Sequence, residues 1–274
     1  MHSSVPAVLS AGIDYVTVTA RQGPKFGPLL AFGQALVGDE VVRGNKPRVV
    51  GGHGYVGHGA GHAAWGHRAA DVLVTLSGEC ARLYGLAALD LADHAARLDL
   101  QTTVILPNLT PEECIKAARY APEGRAGRGR PIRRRLLDDT ELGVTCYLGS
   151  PKSQQIGRIY DKHRESSGEW PKGATRFEVQ MRKGHAEVWR QVAAVNALDA
   201  ATVHAGVGEW FGARGVPHLA NSEAVWPGFP APTATTDYGR TLQWWRSCVA
   251  PSVRRWWSYE RRVEVMIALG VLDG

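Results

Sequence analysis

Short strand-like segments, some with charged residues at every second position, constrain the fold of this chain more than any other feature. Successive side chains of a β-strand point to opposite faces, so Arg97-Leu-Asp-Leu places its leucines on one face and its charges on the other. Further segments rich in strand-forming residues predict the rest of a sheet. The predicted strands are residues 14–19, 71–77, 97–104, 143–148 and 176–182, with short strands and tight turns within 48–66.

Helical segments separate and follow these strands. Ser77 is a candidate N-cap for a helix over 79–96, which places Leu83, Leu86, Leu89 and Ala92 on one face. A second helix begins at Thr110-Pro-Glu-Glu, which combines a capping residue, an early proline and acids near the positive end of the dipole. The other predicted helices are residues 28–37, 186–197, 200–211, 242–249 and 252–269. The chain therefore predicts an α+β fold: a central antiparallel β-sheet with flanking helices and a C-terminal helical region.

The composition argues against several classes of protein. The four cysteines lie far apart with no Cys-x-x-Cys pair, which disfavours a zinc module or a disulfide framework and fits a reducing cytoplasm. No stretch approaches the roughly 18 uninterrupted apolar residues of a membrane span, and the first residues lack the charged start of a secretory signal. We therefore expect a cytoplasmic protein without a membrane partner. Its net charge of +6 suits a polyanionic ligand.

Three segments place reactive polar groups in strand-like surroundings: residues 97–100, 158–165 and 176–182. By alternation Asp99 shares a face with an arginine, and Glu178 shares one with two arginines and a glutamine. Such a face must be wet, ion-paired or metal-bound, because an unpaired buried charge is strongly unfavourable. The two acids are therefore either metal ligands or members of a structural ion-pair network.

These groups suit a transesterification at a DNA phosphate. Tyr160 is the candidate nucleophile, although a phenol pKa of about 10 requires a base or a metal nearby. Asp99 and Glu178 offer hard oxygen ligands for Mg²⁺ or Mn²⁺, which would polarise a phosphoryl oxygen. Lys162, two residues beyond Tyr160 on an extended chain, would offset charge on the phosphate. Tyr147 is the rival nucleophile, and the alternative for Tyr160 is a strand tyrosine that only packs its ring.

Arginines predict the path of the nucleic acid. One stretch interleaves arginines with glycines and is flexible enough to follow a phosphate backbone, although such a run is often only a solvated surface. Its arginines are Arg125, Arg128, Arg130, Arg133, Arg134 and Arg135. Arg158, Arg176 and Arg182, which flank the candidate nucleophile and acids, are predicted DNA contacts as well.

Two further groups favour ordinary structural roles. Four histidines lie among so many glycines that surface turns are favoured over metal ligation, although one of them could complete a metal site short of acids. They are His53, His58, His62 and His67. Tryptophan pairs at 244–245 and 256–257 favour the core of a helical hairpin over base stacking.

Six segments resemble, in order, successive blocks of the replication initiation factor family. They are DYVTVT, VLVTLSGECAR, RLDLQTTV, TCYLGSPKS, RIYDKHRE and TRFEVQMRKGHA, and the resemblance covers roughly residues 11–218. Members of this family start rolling-circle replication of plasmids and phages or act as relaxases of conjugative elements. The resemblance implies a tyrosine that nicks one DNA strand, keeps the 5′-phosphate and leaves a 3′-OH. It also implies a divalent metal held by carboxylates.

Carried over by position, the resemblance makes Tyr160 the nucleophile, with Lys162 in the same motif, and makes Asp99 and Glu178 the metal ligands. Many relatives have a second acid directly after R-L-D-L, where this chain has Gln-Thr-Thr. The metal site would therefore have fewer carboxylates or would use Asp14.

The resemblance also implies partners and organisation. Single-stranded origin DNA would be the substrate, a host helicase the protein partner and Mg²⁺ or Mn²⁺ the cofactor, while the oligomeric state stays open. Residues 1–220 would form the nicking and replication-initiator domain, and 221–274 a C-terminal helical extension. Two alternatives remain: a non-catalytic DNA-binding regulator on the same scaffold, and a metal-dependent nuclease in which water attacks.

Overall fold

The structure is a computed structural model that describes residues 6–37, 54–58, 61–68, 71–121, 125–126, 130–195 and 198–216. All of these residues lie in the first of the two compact units into which the chain divides, Met1–Pro230. The predicted helical extension, with both tryptophan pairs, falls outside the described residues, so the domain division stays a prediction. Among the described residues, no helix combines the length and apolar character needed to cross a membrane.

The described elements alternate between strands and helices along the chain. The strands are β1 (Ala7–Arg21), β2 (Gly54–His58), β3 (Gly61–Arg68), β4 (Asp71–Ser77), β5 (His94–Ile105), β6 (Arg125–Ala126), β7 (Arg130–Pro131), β8 (Arg134–Asp139), β9 (Gly143–Leu148), β10 (Gln155–Asp161) and β11 (Ala174–Arg182). The helices are α1 (Phe26–Val37), α2 (Gly78–Asp90), α3 (Pro111–Tyr120), α4 (Lys162–Glu165), α5 (Gly184–Val195) and α6 (Ala200–Gly212).

A nine-stranded sheet organises the described part of the chain, in the order β2-β3-β4-β1-β5-β11-β10-β9-β8. Every neighbouring pair is antiparallel. Strands β6 and β7 pair separately as a short ribbon. The predicted α+β fold with a central antiparallel sheet and flanking helices is therefore confirmed.

The hydrophobic core lies between one face of the sheet and the helices. The strands supply buried apolar residues at alternate positions, including Leu98, Leu100, Phe177 and Val179. Buried side chains of α1, α2, α3, α5 and α6 belong to the same cluster. Each fully buried Leu or Phe side chain stabilises the fold by about 1.5–3 kcal/mol relative to leaving it in water. This packing holds the central strands rigidly, so their opposite face is a fixed platform.

The opposite face of the sheet carries the polar residues of the central strands. Residues directly opposite each other in an antiparallel pair project from the same face, so the register decides which polar groups meet. The pairs at the centre of this polar face are Asp99–Gln180, Gln101–Glu178, Thr103–Arg176, Arg158–Glu178 and Tyr160–Arg176. The predicted segments around Asp99, Tyr160 and Glu178 thus lie on three adjacent strands.

Strand β1 is irregular next to this face. Its register against β5 shifts between Ile13, which pairs with Leu100, and Tyr15, which pairs with Asp99. Asp14 is the extra residue at this bulge, and an inserted residue re-aims a side chain that regular alternation would place elsewhere.

Helix α3 begins as predicted and α2 does not pack as predicted. Thr110 and Glu113 form a reciprocal capping box ahead of α3, with Pro111 in the first turn. Helix α2 ends at Asp90, so residues 94–96 belong to β5 and the predicted end at 96 is wrong. Leu89 and Ala92 are buried, but Leu83 and Leu86 are exposed, so the predicted single face is wrong at those two positions.

The buried residues of α2 are small except for one leucine. They are Cys80, Ala81, Gly85, Ala88 and Leu89. A Cβ at Gly85 would lie 3.1 Å from the Ile13 side chain, so the helix approaches β1 more closely than leucines would allow.

Candidate active site on the polar face of the sheet

Three buried reactive groups lie together on strands β5, β10 and β11. Asp99 has no exposed surface, Glu178 is 1 % exposed and Tyr160 is 9 % exposed. The alternation in Arg97-Leu-Asp-Leu and in Arg176-Phe-Glu-Val predicts this placement, because charged positions in each segment fall on one face. The register of the three strands then brings the groups within contact distance of shared neighbours.

The Asp99 carboxylate is held by three donors. Arg97 donates through Nε to Oδ1 at 2.9 Å and through Nη2 to Oδ2 at 2.5 Å. Arg158 Nη2 and Gln180 Nε2 both donate to Oδ2, each at 3.3 Å. A bidentate guanidinium fixes the position of this carboxylate.

The Glu178 carboxylate is held by Arg158 and by the phenol of Tyr160. Arg158 Nη2 donates to Oε1, and the Tyr160 hydroxyl donates to Oε2 across 3.4 Å. One arginine nitrogen therefore contacts both acids, so the two carboxylates converge on a single cation position.

The phenol of Tyr160 is held in its neutral form. Burial raises the pKa of Tyr160 to about 12, and this effect exceeds the opposing one of the Arg176 guanidinium. The Asp14 carboxylate also raises the pKa of this phenol. A nucleophilic role therefore requires a proton acceptor, and the Glu178 carboxylate is the group that accepts the hydroxyl hydrogen bond.

The carboxylate oxygens of Asp99 and Glu178 are ligands of the kind that a hard divalent cation prefers. Mg²⁺ typically takes one or two carboxylates and leaves its other positions to water and substrate phosphates. Among the residues described, no group of three or more His, Cys, Asp or Glu side chains converges on one point. Arg158 occupies the position between Asp99 and Glu178, so a bound ion would displace its guanidinium. The predicted metal ligation stays a prediction.

Arg176 is built into the sheet. It is 7 % exposed, donates through Nε to Thr103 Oγ1 at 2.9 Å, and pairs through Nη1 with Asp14 Oδ1 at 3.3 Å. Its guanidinium also lies 5.3 Å from the centre of the Trp170 ring. These contacts use Asp14 as an arginine partner, and they place Arg176 beside Tyr160 beneath the surface of the site.

Arg182 and Arg135 lie at the rim of the same face. Arg182 donates to Gln180 Oε1 at 2.8 Å and to the Pro151 carbonyl at 3.1 Å. Arg135 is exposed on β8, and its guanidinium lies 4.9 Å from the centre of the Tyr147 ring. The ring of Tyr147, the rival nucleophile, therefore packs against an arginine.

Lys162 lies on a helix and not on the extended chain that the sequence predicted. Strand β10 ends at Asp161, whose carboxylate accepts from the Arg164 amide at 3.1 Å and caps the short helix α4. Lys162 is the first residue of that helix and pairs with Glu165. The argument from an extended chain beyond Tyr160 is therefore wrong, because an N-cap ends the strand before Lys162.

The predicted arginine loop is partly strand. Arg125 and Arg130 lie on the β6–β7 ribbon, and Arg128 is outside the described residues. Arg133 is exposed, whereas Arg134 donates to the carbonyls of Ala121 at 2.7 Å and Arg214 at 3.2 Å. Arg134 and Arg135 belong to β8, so the prediction of a loop through residue 135 is wrong at its end.

Sequence reasoning did not include Arg97 among the site residues. Its guanidinium grips Asp99 and also lies 3.9 Å from the centre of the Tyr15 ring. The sequence did indicate this contact, because residues two apart on a strand, such as Arg97 and Asp99, lie on the same face. His58, His62 and His67 lie on β2 and β3, and His53 lies outside the described residues.

Comparison with solved structures gives a likeness in fold. No family model matches the chain, and no curated protein matches it. In structure the chain is similar to a rolling circle replication initiator protein from Geobacillus stearothermophilus, with a TM-score of 0.47 and 18% sequence identity. The match covers 73% of this chain and 84% of that one.

Proposed function

We propose that this protein nicks and rejoins single-stranded DNA by transesterification, with Tyr160 as the nucleophile. The reaction would initiate rolling-circle replication or conjugative transfer. One observation carries the proposal: the Tyr160 hydroxyl donates to the buried Glu178 carboxylate on a polar face held by arginines. A nucleophile, a proton acceptor and cations to neutralise a phosphate are the groups that such a reaction requires.

The bond changes balance within this set of groups. The Tyr160 oxygen attacks phosphorus while its proton passes to Glu178, and a new phosphotyrosyl bond forms to the 5′-phosphate. The bond from phosphorus to the 3′-oxygen breaks, and that oxygen leaves as a 3′-OH with a proton from water. The proton on Glu178 neutralises the hydroxide that remains, which restores the carboxylate. The reverse reaction closes the strand, because the phosphotyrosyl bond retains the energy of the broken phosphodiester.

In this proposal, burial of Tyr160 keeps its hydroxyl unreactive until DNA binds. A phenol with a pKa of about 12 is inert toward solvent species until a phosphate is bound next to it. The phenolate that forms during attack lies beside the Arg176 guanidinium, which stabilises negative charge on the oxygen. Lys162 shares with Tyr160 the motif on which the family resemblance rests, and we propose that it leaves Glu165 to neutralise charge on the phosphate.

Asp99 and Glu178 are proposed to hold Mg²⁺ or Mn²⁺ when DNA is bound. When bound there, the ion would supply charge neutralisation at a phosphoryl oxygen. The convergence of both carboxylates on one Arg158 nitrogen supports a shared cation position. Nicking activity that vanishes with chelator and returns with Mg²⁺ or Mn²⁺ would support this assignment, and full activity in excess chelator would remove it.

Arginines are proposed to bind the phosphates of the single-stranded DNA. Arg158 and Arg182 border the reactive groups, and Arg133 and Arg135 extend the positive surface along β8 and the segment before it. The remaining predicted contacts stay proposals from the sequence; they are Arg125, Arg128, Arg130, Arg134 and Arg176. A host helicase as partner likewise stays a prediction.

A covalent-adduct assay tests the function. Single-stranded DNA is labelled at its 3′ end, incubated with the full-length protein and resolved under denaturing conditions. A random-sequence pool supplies the substrate, and sequencing of the attached fragments then identifies the origin. We expect an adduct that carries the downstream fragment, because the tyrosine keeps the 5′-phosphate.

Two tyrosine variants give the controls. Tyr160→Phe should abolish the adduct while leaving DNA affinity nearly unchanged, because only the phenolic oxygen is lost. Tyr147→Phe should still form the adduct. Cleavage without an adduct would identify a hydrolytic nuclease, and binding without cleavage would identify a non-catalytic regulator.

A further inference from the structure

A cavity of about 190 Å³ opens on the polar face next to the candidate active site. Side chains from four adjacent strands line it, including Arg135, Tyr147, Arg158, Gln180 and Arg182. We infer that this cavity binds one unpaired nucleotide, with its base against Tyr147 and Arg135 and its phosphate against Arg182. The inference rests on the proposed function, because it locates one nucleotide of the strand that Tyr160 attacks.

The base-stacking wall is built by strand register. Tyr147 on β9 pairs with Arg158 on β10 and with Arg135 on β8, so the three side chains share one level of the sheet. The Arg135 guanidinium lies 4.9 Å from the centre of the Tyr147 ring. Tyrosine rings and guanidinium planes are both surfaces on which unpaired bases stack. The pair therefore offers a flat surface held in place by three neighbouring strands.

The charge of the cavity fits a phosphate. Three arginines line it, and none of its lining residues is acidic. Arg182 is oriented by Gln180 Oε1 and the Pro151 carbonyl, so its charge is held in place by neutral acceptors. An oriented guanidinium offers parallel donors to a phosphate.

The size and position of the cavity select a single nucleotide. Pockets that enclose a whole drug-sized ligand span roughly 300–1,000 Å³, so this smaller cavity has room for one base, with the sugar and the phosphate at its opening. Arg158 is two residues before Tyr160 on β10, and residues two apart on a strand lie about 7 Å apart on the same face. A base in the cavity therefore belongs to a nucleotide close to the attacked phosphate. This gives Tyr147 a binding role.

Binding of two probes with the same backbone charge separates base stacking from phosphate contact. The probes are fluorescein-labelled dodecathymidylate and a dodecamer of abasic residues, and fluorescence anisotropy with the full chain gives both Kd values. We expect the wild-type protein to prefer the thymidylate probe. Tyr147→Ala should reduce that preference by about tenfold, while the Kd for the abasic probe stays the same.

Conservative and remote variants control the measurement. Tyr147→Phe keeps the ring and should keep the preference, and Tyr147→Leu keeps apolar volume without a ring and should lose it. Tyr120→Ala removes an exposed tyrosine at the end of α3 and should change neither Kd. The leucine variant also tests the inference if the alanine variant does not fold.

The possible results separate this inference from the proposed function. An unchanged preference in both Tyr147→Ala and Tyr147→Leu, with adduct still formed by Tyr160, overturns the nucleotide site and leaves the nicking proposal intact. Equal weakening of both probes overturns it too, because the loss would then lie in phosphate contacts. Absence of any binding to either probe by wild-type protein overturns both proposals.

Discussion

Replacing Arg158 with methionine should destabilise the protein by about 3 kcal/mol, because it leaves Glu178 as a buried, unpaired charge. The Glu178 side chain is 2 % exposed, and Arg158 is the cation that contacts it. Unit charges about 4 Å apart attract by about 4 kcal/mol at an effective dielectric constant of 20. Breaking a buried ion pair by removing one partner typically costs about 3–5 kcal/mol. The Arg158 side chain is 29 % exposed, so we take the lower end.

The loss of stability should come mainly from one of the two acids, Glu178. Asp99 keeps its two hydrogen bonds from Arg97 after the substitution, whereas Glu178 keeps, among the described residues, the 3.4 Å contact with the Tyr160 hydroxyl. Adding Glu178→Gln to Arg158→Met removes the unpaired charge. We therefore expect the double variant to be about 2 kcal/mol more stable than Arg158→Met alone.

Equilibrium unfolding in urea at pH 7.5, followed by tryptophan fluorescence, measures these differences. The slope with denaturant should match that of the wild type, so that shifts in midpoint report stability alone. Arg82→Met is the matched control: its ion pair with Glu79 spans 3.3 Å but is 57 % and 46 % exposed. That variant should lose less than about 0.5 kcal/mol.

Two results would refute this reasoning. A loss below about 1 kcal/mol for Arg158→Met would mean that the Glu178 carboxylate reaches water. A double variant no more stable than the single one would mean that the loss comes from packing of the arginine stem and not from charge.

Three further predictions concern the scaffold. Gly157→Ala should lower the free energy of unfolding by about 1–3 kcal/mol in the same urea assay, since its Cβ would lie 2.4 Å from the Trp210 ring; unchanged stability would contradict this contact. Burial lowers the pKa of His204, so the unfolded chain takes up the proton first and stability should fall as pH drops below about 6.5; His204→Asn should flatten that fall in urea midpoints measured between pH 7.5 and 5. Burial raises the pKa of the Cys114 thiol to about 12 and that of Cys146 to about 11, so iodoacetamide at pH 8 should modify neither until urea unfolds the chain; peptide mapping that finds native labelling would refute their burial.

Local periodicity accounts for what could be predicted. Every predicted strand within the described residues is present, because alternation and strand-forming residues act over a few neighbouring positions. The same alternation correctly assigned Asp99 and Glu178 to a polar face with arginines. Turn and cap chemistry located the start of α3 for the same reason.

Helix α2 shows where periodicity fails. A leucine row predicts an inner face when only the helix is considered, yet Leu83 and Leu86 lie outward. The distance between α2 and β1 decides the outcome, and close approach at Gly85 admits only small residues. That distance is a property of two elements packed together.

The active site depended on the same kind of long-range information. The chain by itself determined which side chains are polar, which share a strand and which share a face. Only the register of β5, β10 and β11 decided that one nitrogen of Arg158 meets Asp99, 59 positions away, as well as Glu178, 20 positions away. Only the bulge in β1 placed Asp14 next to Arg176, 162 positions away. Alternation has a period of two, so it decides which face a residue takes but not which residue two or four positions along the neighbouring strand lies opposite; the tertiary structure alone makes these pairs.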